Sequence, residues 1–358
     1  MSSASVFTTP PNAAASRQPW RFALAWWVPV SVGAAAWYSP WAAFAVAMFF
    51  QISMALIELL PMGRRSPPAA LPSAWFRWCV QLHVPLQMGV LGIGVWAAAQ
   101  LPWNAIGALT TLALGLGMCS VTGSLGITFA HELGHSRSRF DRFLGWWLMA
   151  SVNYAHFMVE HYRGHHPRAA TEADPASGRY GESLWRFLPR TLCGSWREAW
   201  RLEAQLLRAR RGGGWQIWRR SPLLWATLAQ AVWLVFLGLA FGRLAVVFWL
   251  VQSAAAVFLL ETINYIEHYG LVRAVVGGKR EPFAVHHAWN ADHWMTNSLI
   301  ANLQRHSDHH LHASRPYAAL EPLHGPQLPT GYAGCIWLAM VPAWWFKVMH
   351  ARMPAPAA

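Results

Sequence analysis

The chain has 358 residues, of which 55% are hydrophobic and only 12% charged, and its net charge is +13. Soluble domains carry about 25% charged residues, so this composition excludes a surface that mostly faces water. The positive balance does not by itself choose between nucleic acid, anionic lipid and an acidic protein; its distribution along the chain favours the last two, and no nucleic-acid partner is expected.

In chain order, residues 1–20 are polar and rich in Pro, Ala and Ser, which predicts a disordered tail without the ordered parts of a cleavable signal. Residues 21–130 hold four apolar segments, at 22–38, 41–60, 78–99 and 104–130, near the ~20 residues that cross a bilayer. "YSP" joins the first pair and "LPWN" the second, so both are tight hairpins. Residues 131–220 form a long insertion. Residues 221–267 hold two more spans, 221–241 and 244–267, joined by "FGR", and 268–358 form the C-terminal region. Positions 143–158 are apolar but too short to span, and read as a re-entrant or interfacial helix. In "SWREAWRLEAQLLRARRGGGW", Trp196, Trp200 and Leu207 fall near one helical face, with Arg197, Arg201, Arg208 and Arg211 largely elsewhere. That pattern suits a basic helix at a membrane surface, ended by Gly212–Gly214.

The basic residues orient the spans. The segment before the first span, the 61–77 loop, residues 131–220 and everything after 270 hold 27 Lys and Arg; the opposite side has only Arg243. The positive-inside rule places both termini and both large loops in the cytoplasm. Cys79, Cys119, Cys193 and Cys335 are far apart, with no C-x-x-C, and read as lone buried thiols. No G-x-G-x-x-G follows a strand, so no flavin or nicotinamide site is expected and electrons must arrive from another protein.

The chemistry lies in the histidines. "HELGH" (131–135) ends the fourth span, "EHYRGHH" (160–166) lies in the insertion, "NYIEHYG" (264–270) ends the sixth span, and "RHSDHHLH" (305–312) follows. His131 and His135 share a helical face, as do His161 and His165, and His306 with His309 and His310. His166, five residues after His161, does not fit that face; Gly164 and Pro167 suggest that the helix ends there and swings it inward. His83, His156, His324 and His350 read as hydrogen-bonded core residues. Nine imidazoles at the ends of membrane helices are costly to bury without a strong partner. One zinc takes about four ligands, so two metals are implied. Imidazole suits zinc, copper, iron and nickel, and spacing does not name the metal. H-E-x-x-H alone reads as a zinc peptidase, but that site leaves seven histidines without a role. Metal-bound histidines donate their other N–H to a carboxylate or carbonyl. Glu132, Glu160, Glu267, Asp292 and Asp308 are the candidates, Glu132 and Asp308 foremost because they are embedded in the boxes.

These motifs closely resemble those of the AlkB-type integral-membrane alkane monooxygenases, within the membrane fatty-acid desaturase/hydroxylase superfamily. The resemblance extends to "MGRRSPP", "TEADPASGRYGES", "HHAWNADHWMTNSLIANLQRHSDHH" and "PQLPTGYAGCIWLAMVP", and covers roughly residues 20–350. Ser136, Leu311 and Ala313 stand where the family commonly has lysine, alanine and proline. The resemblance implies an all-α integral membrane fold: six transmembrane helices with a helical cytoplasmic cap holding a histidine-rich di-iron site. Matched by position, the ligands are His131, His135, His161, His165, His166, His268, His306, His309 and His310. It implies two iron ions, O2 as co-substrate, and terminal hydroxylation of alkanes drawn from the membrane lipid. It also implies a rubredoxin-type electron carrier, with an NAD(P)H-dependent reductase upstream, and a bacterial inner-membrane location. A xylene-type methyl hydroxylase and a fatty-acyl desaturase are the nearest alternatives. A metal transporter is disfavoured, since the spans hold few acidic residues, and Glu58 and Glu261 lie close to the cytoplasmic ends.

Overall fold

A computed structural model describes residues 18–60, 73–209 and 215–354. Most of the expected tail, the "MGRRSPP" loop, Arg211 and Gly212–Gly214 lie outside the described residues. Apart from a short antiparallel hairpin, Val275–Val276 with Lys279–Arg280, the described chain is helical and irregular.

Five described helices are long and apolar enough to cross a membrane: Pro40–Leu59, Ala74–Ala99, Ala105–His135, Pro222–Phe241 and Arg243–His268. They coincide with five of the six expected spans, but the fourth runs on to His135, so the first histidine box continues a membrane helix. The first expected span differs. It is a 3₁₀ stretch, Pro19–Trp26, followed by an α-helix of only 12 residues, Trp27–Tyr38. Its N-terminal part is tied down by the buried Arg21, which donates to Ser298 Oγ (3.3 Å) and Asn302 Oδ1 (2.9 Å).

The turns explain the hairpins. Ser39 is extended and Pro40 opens the next helix, where a missing N–H costs nothing. Asn104 caps the fourth span by accepting from Gly107 N at 2.9 Å. Gly242 alone joins the last two spans, at φ 85°, a conformation that favours glycine.

Burial separates core helices from lipid-facing ones. Of the 18-residue apolar stretch in each helix, only 17% is buried in Pro40–Leu59 and 11% in Pro222–Phe241, against 67% in Ala105–His135. The helix that bears the first box is therefore the central one. Close approach to it depends on small residues: a Cβ on Gly117 would meet the backbone of Ala43 and Phe44 within 3.1 Å.

The remaining segments gather at the histidine end of the bundle. Positions 143–158 fall in a helix, Arg139–Ser151, followed by turns leading to Phe157–Glu160. Leu184–Ala209 buries Leu184, Phe187, Thr191, Ser195, Ala199, Glu203 and Leu207, while Trp185, Leu192 and Trp196 are exposed. The helix Tyr332–Ala339, the last but one, is anchored by Glu58, which accepts from Ala333 N (3.2 Å), Gly334 N (2.8 Å) and the hydroxyls of Thr296 (2.7 Å) and Thr330 (3.0 Å).

Some smaller expectations are corrected. Cys193 is exposed, since its side of the Leu184–Ala209 helix is uncovered, while the other three cysteines are buried. His324 is exposed in an irregular segment. His156 is buried, with no hydrogen-bond partner at either ring nitrogen. His83 pairs with Gln87 (3.0 Å), and His350 with the Tyr269 hydroxyl (2.8 Å).

Candidate metal centre

The nine histidines converge and divide into two groups. His131, His135, His161, His166 and His309 form one; His165, His268, His306 and His310 form the other. Within each group the facing nitrogens lie within 4.8 Å of one another. Neighbours in sequence separate: His165 and His166 go to different groups, as do His309 and His310.

Local winding explains the second box. Residues His161–His165 form a π-helical turn rather than a helix end. A π turn closes i to i+5, so His161 and His166 come onto one face, with Nε2 atoms 3.0 Å apart. His165, one step round, points to the other group. Counting at α-helical period paired His161 with His165 instead.

The nitrogens are spaced as ligands of common ions. At a metal–nitrogen distance of about 2.1 Å, two ligands of one ion sit roughly 3.0–3.4 Å apart, from right-angle to tetrahedral geometry. In the first group, Nε2–Nε2 separations are 3.0 Å for His131–His309, 3.1 Å for His135–His166, 3.3 Å for His166–His309 and 3.4 Å for His135–His161. In the second they are 3.2 Å for His268–His306 and 3.0 Å for His306–His310. His165 Nε2 is buried without any hydrogen-bond partner. Converging lone pairs repel one another unless a cation lies among them, so both groups fit a metal.

Burial is the first cause that keeps these rings neutral. Burial and the neighbouring imidazoles hold His161, His166, His306 and His310 well below the ordinary histidine value. Burial, with His165 nearby, lowers His309 to about 3. Neutral imidazole is the form that binds metal.

The second group is braced by oxygen. His165 Nδ1 donates to Asp174 Oδ2 at 2.8 Å, and His268 Nδ1 to the His287 carbonyl at 3.3 Å. His306 Nδ1 lies 3.2 Å from Glu267 Oε1, within ion-pair distance but off hydrogen-bond geometry. Glu267 in turn accepts from the Tyr332 hydroxyl at 2.7 Å. Burial works to raise the Asp174 carboxyl, but His165 and the Ser177 hydroxyl hold it below its usual range.

Of the five carboxylates singled out from sequence, Glu267 alone contacts a clustered histidine among the described residues. Glu132 accepts from Tyr317 N (3.1 Å) and ties that loop to the first box. Glu160 is buried, and burial together with Asp174 and Glu261 raises its carboxyl well above the ordinary value. Asp292 pairs with Arg305 (3.1 Å). Asp308 pairs with Arg315 (2.7 Å) and His312 (2.9 Å), holding the third box to the segment after it. Sequence reasoning missed Asp174. Its stretch "TEADPASGRYGES" was marked only for its resemblance, and nine residues separate it from His165, too far for a spacing rule. Tyr332 lies in "PQLPTGYAGCIWLAMVP", which likewise stands out only by its resemblance.

Beside the clusters an apolar cavity enters the bundle. Val28, Phe50, Met54, Leu125, Leu259 and Ile263 line it, and it ends against His131, His161 and His306. It therefore touches residues of both groups.

The chain is similar to known proteins along most of its length. The fatty acid desaturase family model matches residues 102–339. Alkane 1-monooxygenase 2 of Pseudomonas aeruginosa is 38% identical over 339 residues, covering 92% of this chain and 88% of its own. Alkane 1-monooxygenase 1 of the same organism is 41% identical over 303 residues, covering 82% and 77%. The hydroxylase component of a xylene/toluene monooxygenase from Pseudomonas putida is more distant, at 25% over 271 residues, covering 75% and 71%.

Proposed function

The chain belongs to the alkane 1-monooxygenase family of membrane oxidoreductases, and from that premise we propose how its own residues serve the reaction. The overall conversion is R-CH3 + O2 + 2 e⁻ + 2 H⁺ to R-CH2OH + H2O. The observation that carries the assignment to this geometry is the apolar cavity ending on His131, His161 and His306.

Each histidine cluster holds one iron. Imidazole suits iron, and the first cluster offers five donors, more than the four of a typical zinc site. Bound there, the two irons supply the activation of O2 and the cleavage of the terminal C–H bond. The protein does the rest. Its imidazoles stay neutral through burial, Asp174 and the His287 carbonyl fix the tautomers and ring planes of His165 and His268, and Glu267 braces His306. The cavity takes the alkane from the lipid, excludes water and presents the end of the chain to the clusters, so that position selects the terminal carbon.

The 3₁₀ and α segments from Pro19 to Tyr38 supply the first of six crossings. Eight residues at ~2.0 Å and twelve at ~1.5 Å per residue together reach the ~30 Å of a bilayer core. With both termini cytoplasmic, in a bacterial inner membrane, the clusters lie at the cytoplasmic ends of the spans beneath a helical cap. Electrons come from a rubredoxin-type carrier, served by an NAD(P)H-dependent reductase. The acidity of such carriers complements the arginine-rich face around the clusters.

The test is to supply the protein in membranes with an n-alkane, isotopically labelled O2 and a reduced carrier. The expected product is a 1-alkanol carrying one labelled oxygen. An unlabelled product, or desaturation without oxygen insertion, would overturn the reading.

A further inference from the structure

The cavity wall is not uniformly apolar. Besides its apolar lining it carries Gln51 and Ser124, the latter seven residues before His131 on the same helix, and Gln51 Nε2 donates to Ser124 Oγ at 3.2 Å. An amide within a membrane span is costly unless it has a partner. A glutamine–serine pair between spans can be simple interhelical glue, but two observations point further. Both side chains are partly open to the cavity rather than sealed between helices. The span bearing Ser124 is π-helical over Ser120–Ile127, a departure from α geometry that often marks a functional site.

The polar pair also stands at a defined depth. Ser124 precedes His131 by seven residues on one continuous helix, at most roughly 10 Å at the ~1.5 Å per residue of an α-helix, since the π-helical part over Ser120–Ile127 rises less. That is the length of an extended chain on the order of eight carbon–carbon bonds.

We propose that Gln51 and Ser124 form a station for an oxygen function at the far end of the substrate. The enzyme then takes, besides plain alkanes, medium-length primary alcohols entering methyl end first, and converts them to α,ω-diols. This rests on the hydroxylase reading above. The step is HO-(CH2)n-CH3 + O2 + 2 e⁻ + 2 H⁺ to HO-(CH2)n-CH2OH + H2O. A terminal C–H bond breaks, a C–O bond forms, and the electrons come from the same rubredoxin-type carrier. When an alkane fills the cavity, Gln51 and Ser124 satisfy each other. When an alcohol fills it, the second amide N–H of Gln51 and the Ser124 hydroxyl meet its oxygen.

The test uses the full-length protein in membranes, a reduced carrier and labelled O2, with equimolar n-alkane and matched primary alcohol over a series of chain lengths. Alcohol made from the alkane carries label; diol made from the added alcohol carries one labelled and one unlabelled oxygen. The expected result is singly labelled diol with a yield that peaks at one chain length. Gln51→Met and Ser124→Ala should each lower the ratio of that diol to labelled alkanol by about tenfold, one hydrogen bond's worth of selectivity, and flatten the peak. The ratio is internal to each preparation, so a poorly folded variant does not mimic the effect. Labelled alkanol without singly labelled diol at any length overturns the station alone, as does an unchanged ratio in both variants, which would make the pair interhelical glue. Absence of labelled alkanol from the unaltered protein would instead overturn the hydroxylase reading.

Discussion

The two histidine clusters use one residue type and partly adjacent positions, yet they are held differently. The second is braced from behind by Asp174, Glu267 and the His287 carbonyl. The first has one more imidazole, and among the described residues no carboxylate hydrogen bond reaches its five rings. One cluster thus gains its hold from oriented, anion-backed rings, and the other from the number of neutral donors. Braced imidazoles are more basic and lose less freedom on binding, so the second cluster should hold its metal more tightly.

The largest effect should come from removing ligands. His309→Ala strips the first cluster and His310→Ala the second; together they should reduce alkane hydroxylation to assay background, with both metals lost. Turnover surviving the double substitution would break the comparison at its root. Singly, His309→Ala should leave about one metal per chain, retained in the braced cluster, as read by metal analysis of the purified protein.

Asp174→Asn should follow, lowering metal affinity or activity by about 10–100-fold. It removes the negative charge behind His165 and, with one oxygen held by Ala176 N, sets an NH2 against His165 Nδ1, and should deplete the second cluster selectively. Asp308→Asn should cost far less metal, because Asp308 serves Arg315 and His312 rather than a clustered ring. Equal metal loss in the two variants would show that bracing is not what distinguishes the clusters. Tyr332→Phe removes one hydrogen bond to Glu267 and should reduce activity by less than about tenfold.

Acid gives a graded test. Free imidazole titrates near 6.5, whereas burial and neighbouring rings hold His309 at about 3 and His161, His166, His306 and His310 well below the ordinary value. Below about pH 6.5 the unfolded chain therefore binds more protons than the folded one. Stability of the metal-free protein should fall as pH drops through that value, and keep falling toward about 3. A melting temperature that stays flat between pH 7 and 5 would contradict the buried, neutral state of these rings.

Much of this was legible in the sequence, for physical reasons. Five of the expected spans coincide with long apolar helices because hydrocarbon thickness fixes their length. The first was harder: its start is set by the contacts of Arg21 with Ser298 and Asn302, almost the whole chain away. The nine clustered histidines announced themselves through repeated helical spacing. Their division did not, because the π turn at His161–His165 exchanges the partner of His161 and no local rule foresees it. Among the carboxylates, membership of a box was a poor guide. Asp308 lies inside one and turns away, whereas Asp174, outside every box, is brought to His165 by the fold of the intervening loop.

The most direct measurement is the metal content of the purified, unaltered protein, with iron and zinc determined per chain. The account predicts two irons, one for each cluster. A single zinc would contradict it.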